Sequence, residues 1–209
     1  MSVVFLSDYQ DEAYALGQKG LSRRDELFNW VMGLTGETGE LVDLLKKNVY
    51  HSHPVTDELV QKITKELGDV QWYLNATASF YKIPLFKLMA QIAMFTDKER
   101  KTVTTQTVQD AYLSDTKVDF SLTPIDAVAL GMVAATGRVA EQVLMVGSDR
   151  GVDMTKLLID LQLIQRYIIV VADHYNITFT DVVAGNLKKL RARYPQGFSA
   201  QDSINRKGA

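Results

Sequence analysis

The sequence predicts an all-α protein, on three observations. Apolar residues recur at helical spacing through most of the 209 residues, strand-type alternation is almost absent, and capping residues stand where the periodic segments begin. An apolar content of 46% is ample for a core. A first helix is expected over roughly 7–19, with Ser7 and Gln10 as a capping box. A second spans about 25 to 48 and breaks at His51-Ser-His-Pro54, whose histidines read as surface loop residues. A third spans Thr56 to about Tyr81. Pro84 suits the first position of a fourth, reaching about Arg100. The composition then turns β-branched and polar at Thr102-Val-Thr-Thr-Gln-Thr-Val108, so 103–122 reads as a linker with room for a short strand or helical turn. Thr123-Pro124 reopens the helical pattern, with Thr as cap and Pro at the first position.

The residues after the linker repeat those before it. Gly33-Leu-Thr-Gly-Glu-Thr-Gly39 aligns with Gly131-Met-Val-Ala-Ala-Thr-Gly137, an offset of 98. Phe80-Tyr-Lys-Ile-Pro-Leu-Phe86 aligns with His174-Tyr-Asn-Ile-Thr-Phe-Thr180, an offset of 94. The difference falls in the loop between paired helices, where a deletion is easily absorbed. An internal duplication is expected, with modules at 1–102 and 123–209 that cover each other's apolar faces.

Two acidic phrases carry the chemistry. Glu37 with Glu40, and Glu66 with Asp69, are each spaced i, i+3, so each pair projects from one helix face. Both lie within apolar stretches, where a carboxylate is costly unless a cation meets it. Two such helices face to face would present four hard oxygen donors, which suits Mg²⁺ or Mn²⁺ and does not suit zinc or copper. Across the repeat, Glu37 becomes Ala135, Glu40 becomes Arg138, Glu66 becomes Asp160 and Asp69 becomes Leu163. The second module therefore cannot assemble the same cluster, and the first is expected to hold the chemistry. A di-iron carboxylate bundle would need an E-x-x-H motif, and the chain contains none.

Gly36-Glu-Thr-Gly-Glu-Leu41 followed by Lys65-Glu-Leu-Gly-Asp-Val-Gln-Trp-Tyr73 resembles the all-α nucleoside triphosphate pyrophosphohydrolases, the group that includes MazG, the dimeric dUTPases and dCTP pyrophosphatases. The tail Asn186-Leu-Lys-Lys-Leu-Arg-Ala-Arg-Tyr-Pro-Gln-Gly-Phe198 is similar to the C-terminal segment of short MazG-like proteins, although here it follows the degenerate copy. The resemblance implies tandem MazG-like modules with a four-helix-bundle core about a pseudo-twofold axis. It also implies metal-dependent hydrolysis of a nucleoside triphosphate to monophosphate and pyrophosphate by a metal-activated water. Glu37, Glu40, Glu66 and Asp69 would then be ligands of Mg²⁺ or Mn²⁺, with Glu37 or Glu40 also serving as catalytic base. Lys46, Lys47, Lys188, Lys189, Arg191 and Arg193 are candidates to neutralise the polyphosphate. For the base, the resemblance points to Asn29, with Trp30 and Trp72 as stacking candidates and Tyr73 as a sugar or phosphate contact. A non-catalytic nucleotide-binding or regulatory protein of the same fold stays open, as does a homodimer.

The remaining composition excludes more than it assigns. A formal charge of -2 offers no electrostatic footprint for nucleic acid. Zero cysteines rule out disulfides and thiolate chemistry. No basic segment precedes the short apolar run at the start, and no apolar run approaches the ~18 residues of a membrane span. A soluble cytoplasmic protein with no membrane partner is expected.

Overall fold

The computed structural model describes residues 4–88, 102–113, 123–145 and 151–205. Among these, every regular element is helical: α1 Leu6–Ala15, α2 Arg23–Tyr50, α3 Asp57–Phe80, α4 Thr105–Leu113, α5 Ile125–Leu144, α6 Met154–His174, α7 Phe179–Arg193 and α8 Ala200–Asn205. A 3-10 turn, Leu85–Leu88, follows α3. Side-chain caps begin several of them. Ser22 accepts from the Asp25 amide at α2, Thr56 from Leu59 at α3, and Thr178 from Asp181 at α7.

Three starts or stops differ from expectation. At α1 the cap position is Phe5, with no side-chain bond, and the helix ends at Ala15. Gln10 is buried instead of capping: its Nε2 donates to Ser79 Oγ (3.1 Å) and the Ile83 carbonyl (2.9 Å), and its Oε1 accepts from the Leu85 amide (2.8 Å). Core packing thus claims a side chain that local sequence assigns to the helix end. At α5, Pro124 is itself the N-cap, its carbonyl accepting from Val128 N (3.1 Å). Of the helix expected from Pro84 to Arg100, the part through Leu88 is a 3-10 turn and 89–101 lie outside the described residues.

The segment expected as linker contains α4. Val103 and Val108 are buried, and Thr104 pairs with Phe5 through an isolated bridge. Gln109 accepts from the Phe179 amide at the start of α7 (2.9 Å). Tertiary burial outweighs the weak helix propensity of its threonines and valines.

The four long helices touch in a closed circuit: α2 against α3 and α5, and α6 against α5 and α3. α1 and α7 lie along α3, which is why α3 is buried on nearly every side. Its polar residues are answered: Trp72 Nε1 donates to the Ala13 carbonyl (3.0 Å) and Asn75 Nδ2 to the Gln10 carbonyl (3.2 Å). Gln71 and Gln165 exchange a reciprocal pair of amide bonds (3.1 and 2.8 Å). Stranding any of these would cost about 1–3 kcal/mol. α5 is long and apolar enough to cross a membrane by length and composition. Its Val128, Met132, Ala135, Val139 and Val143 are buried in the core, while Leu130, Val133 and Leu144 are exposed.

Several residues that the expected repeat would pair have matching surroundings. Thr38 and Thr136, 98 apart, meet at 3.5 Å, and Gln71 and Gln165 are 94 apart. α3 and α6 both end in a left-handed residue, Lys82 (φ 57°) and Asn176 (φ 55°). In each, the amide of the next residue returns to the last turn, Ile83 to Ala78 and Ile177 to Ala172. Gly33 admits the Tyr73 ring and Gly131 the Tyr167 hydroxyl, so close that an added Cβ would stand 2.1 and 2.5 Å away.

Candidate functional site

The acidic pairs come together where α2 and α3 pack. On α2 the buried stripe is Leu34, Thr38, Leu41 and Leu45. Glu37 stands at its edge and is half-buried, while Glu40 is exposed. On α3, Glu66 and Asp69 are both 7% exposed, because helices flank that side. One carboxylate oxygen from each of Glu37, Glu40 and Glu66 lies within 4.8 Å of the other two.

Asp69 stands apart from these three in its partners. Its Oδ1 accepts from Asn186 Nδ2 (3.1 Å) and from the Lys189 ammonium, both on α7. Tyr9 in turn donates to Asn186 Oδ1 (3.4 Å). Glu66 has a weaker companion in Lys65, whose Nζ is 3.5 Å from Oε1. Its other oxygen, Oε2, is buried without a hydrogen-bond partner among the described residues. Buried acceptors are almost always paired, so an orphaned carboxylate oxygen calls for a cation.

The electrostatics agree. Burial, then the charges of Asp69, Glu40 and Glu66, push the Glu37 carboxyl up to about 7. Glu66 is raised as well, mainly by burial. Three crowded carboxylates with an unpartnered buried oxygen fit a hard divalent ion such as Mg²⁺ or Mn²⁺.

These acids line a pocket of about 300 Å³ with Gln18, Asn29, Trp30, Tyr73, Lys189, Arg193, Tyr194 and Phe198. A second, more open hollow lies across Glu40 and Glu66, bordered by Gly36, Gly39, Lys62 and Lys65. Comparison with family models, curated proteins and solved structures finds no match to this chain. The reading of the site therefore rests on its own geometry.

The sequence-predicted residues divide clearly. Asn29, Trp30, Tyr73 and Arg193 border the pocket together with the four acids. Trp30 and Trp72 are buried and meet edge to face at 6.1 Å. Trp30 Nε1 also donates to Glu26 (3.3 Å). Lys46 and Lys47 lie outside the pocket lining, both paired with Asp43 (2.6 and 2.5 Å). Lys188 is exposed. Arg191 is tied to Glu12 by two bonds (2.5 and 2.7 Å). Helical periodicity explains the split on α7: Asn186, Lys189, Leu190 and Arg193 fall at i, i+3, i+4 and i+7, so they share a face that Lys188 and Arg191 do not. Lys65, Tyr194 and Phe198 also line the pocket and lie within the phrases that carry the resemblance, whereas no sequence signal marks Gln18 and Ser203, which line it too.

Proposed function

We propose that this chain is a divalent-metal-dependent nucleoside triphosphate pyrophosphohydrolase with one active site, in the pocket between α2, α3 and α7. The observation that carries the reading is the Glu37, Glu40 and Glu66 cluster with its buried, unpartnered Glu66 oxygen. Those three side chains would hold the ion. When bound, a divalent cation supplies the charge that lets a polyphosphate approach carboxylates and polarises the phosphoryl group under attack. Glu37 is better placed than exposed Glu40 to take a proton from the attacking water, since it is half-buried in the pocket wall. Lys189 and Arg193 would meet the phosphates, while Asn29 and the aromatic side chains would receive the nucleoside. Products would be the monophosphate and pyrophosphate.

The tandem reading is supported by the contacts between repeat-related residues. Thr38 touches Thr136 and Gln71 touches Gln165, as equivalent positions beside a pseudo-twofold axis would. The second module answers its buried acid in another way. Asp160, in the place of Glu66, accepts from Arg138 Nε (2.7 Å), which stands in the place of Glu40. A fixed guanidinium there does what a divalent ion would do in the first module.

The test is pyrophosphate release from a panel of ribo- and deoxyribonucleoside triphosphates with Mg²⁺, for the wild type and Glu40→Gln. Release by the wild type, reduced about 10- to 100-fold or more by the substitution, is expected. Nucleotide binding without release from any member of the panel would replace this reading with a non-catalytic binding protein.

A further inference from the structure

The four acids are not electrostatically equivalent, and the difference lies in Lys189. Its side chain is only 13% exposed, and its ammonium sits on Asp69, which is buried as well. Asn186 donates to the same Asp69 oxygen, and the Tyr9 hydroxyl orients that amide. Asp69 Oδ1 therefore already takes two donors from α7, one of them a largely buried cation. Among the described residues Glu37, Glu40 and Glu66 make no ion pair with a buried cation, although the Lys189 charge is also felt by Glu37 and Glu66, and Glu66 Oε2 has no hydrogen-bond partner.

Resting on the pyrophosphohydrolase reading, we propose that Lys189 gates Asp69. Without nucleotide, the first divalent ion binds Glu37, Glu40 and Glu66 alone, because the ammonium already occupies Asp69. A triphosphate in the pocket meets Lys189 and Arg193 together, since both border it one helical turn apart. Lysine is a compact charge on a flexible stem, so its ammonium can leave one carboxylate for several phosphate oxygens. Asp69 is then free to receive a second ion, which would enter only with substrate. Arg138, fixed on Asp160 in the second module, has no such exchange available because that module lacks the other carboxylates.

Mn²⁺ titration of the full chain, followed by the electron paramagnetic resonance signal of the free ion, tests this without an activity readout. The wild type should bind one ion tightly in the absence of nucleotide. A second should appear when the α,β-imido analogue of the preferred triphosphate is added. Lys189→Met should bind the second ion without nucleotide about tenfold more tightly than the wild type does, within the usual span of coupling between two ligands. Asp69→Asn should leave the first ion unchanged within about threefold, a shift far below that coupling, and abolish the second. Two equal ions in the nucleotide-free wild type, a single ion in Lys189→Met, no second ion with the analogue, or loss of the first ion in Asp69→Asn would each overturn the gate. No Mn²⁺ bound by the wild type would instead remove the metal-dependent function itself.

Discussion

Glu37→Gln should stabilise the metal-free protein while destroying its activity. The Glu37 carboxyl is pushed from an ordinary 4.5 up to about 7, by burial first and by neighbouring carboxylates second. Ionising it in the folded chain costs about 3 kcal/mol at full weight. Because the side chain is only half-buried, solvent screening reduces this to about 1–2 kcal/mol. The sign follows from proton uptake: between pH 4.5 and about 7 the folded chain keeps a proton that the unfolded chain has released. Stability contributed by this group is therefore full below pH 4.5, falls as pH rises through the window, and is lost above about 7. Glutamine removes the penalty. Thermal unfolding in EDTA should show Glu37→Gln more stable than the wild type by about 2–8 °C at pH 8, for a chain of this size. At pH 5 most of the gain should vanish. Millimolar Mg²⁺ should raise the wild-type Tm at pH 8 and leave the variant nearly unmoved. An equal gain at both pH values, or none at pH 8, would refute the crowded-carboxylate account.

Other substitutions probe the scaffold. Gly33→Ala places a Cβ 2.1 Å from the Tyr73 ring, and overpacking should lower stability by about 1–3 kcal/mol in urea unfolding and weaken nucleotide binding through the displaced ring. Arg138→Ala leaves buried Asp160 without its cation and with the Gln142 amide (3.2 Å) as its remaining donor; with Arg138 half exposed, a loss of about 2 kcal/mol is expected by thermal unfolding, with Mg²⁺-dependent turnover retained. Gln71→Leu and Gln165→Leu should each cost about 1–3 kcal/mol by leaving one buried amide unpaired. The double variant should be much less destabilised than the sum, read as a double-mutant cycle.

Much of the scaffold was legible in the chain because helical periodicity and capping are local properties. Thr56 caps α3 through its own near neighbour, at the start that the periodicity predicts. Where local signals misled, a distant partner had claimed the residue. Gln10 gives up a capping role to bind Ser79, Ile83 and Leu85. The Thr-rich segment after residue 102 becomes helix because Val103 and Val108 find a core. In the site, Glu37, Glu40, Glu66 and Asp69 were conspicuous, since acids at i, i+3 within an apolar stretch are expensive without a cation. The cationic side was harder to read, for Lys188, Lys189, Arg191 and Arg193 differ only in which face of α7 each occupies.

By itself, the sequence determined the helical class and singled out the four acids, because spacing along a helix sets which side chains share a face. Only the tertiary structure decided that these acids are not alike. Packing α7 against α3 delivers Asn186 and Lys189 to Asp69, more than a hundred residues earlier in the chain. One oxygen of Glu66 is shielded from solvent, while among the described residues no hydrogen-bond donor is brought to it. Charge and desolvation act through space, so the partner of each carboxylate is set by how the helices meet.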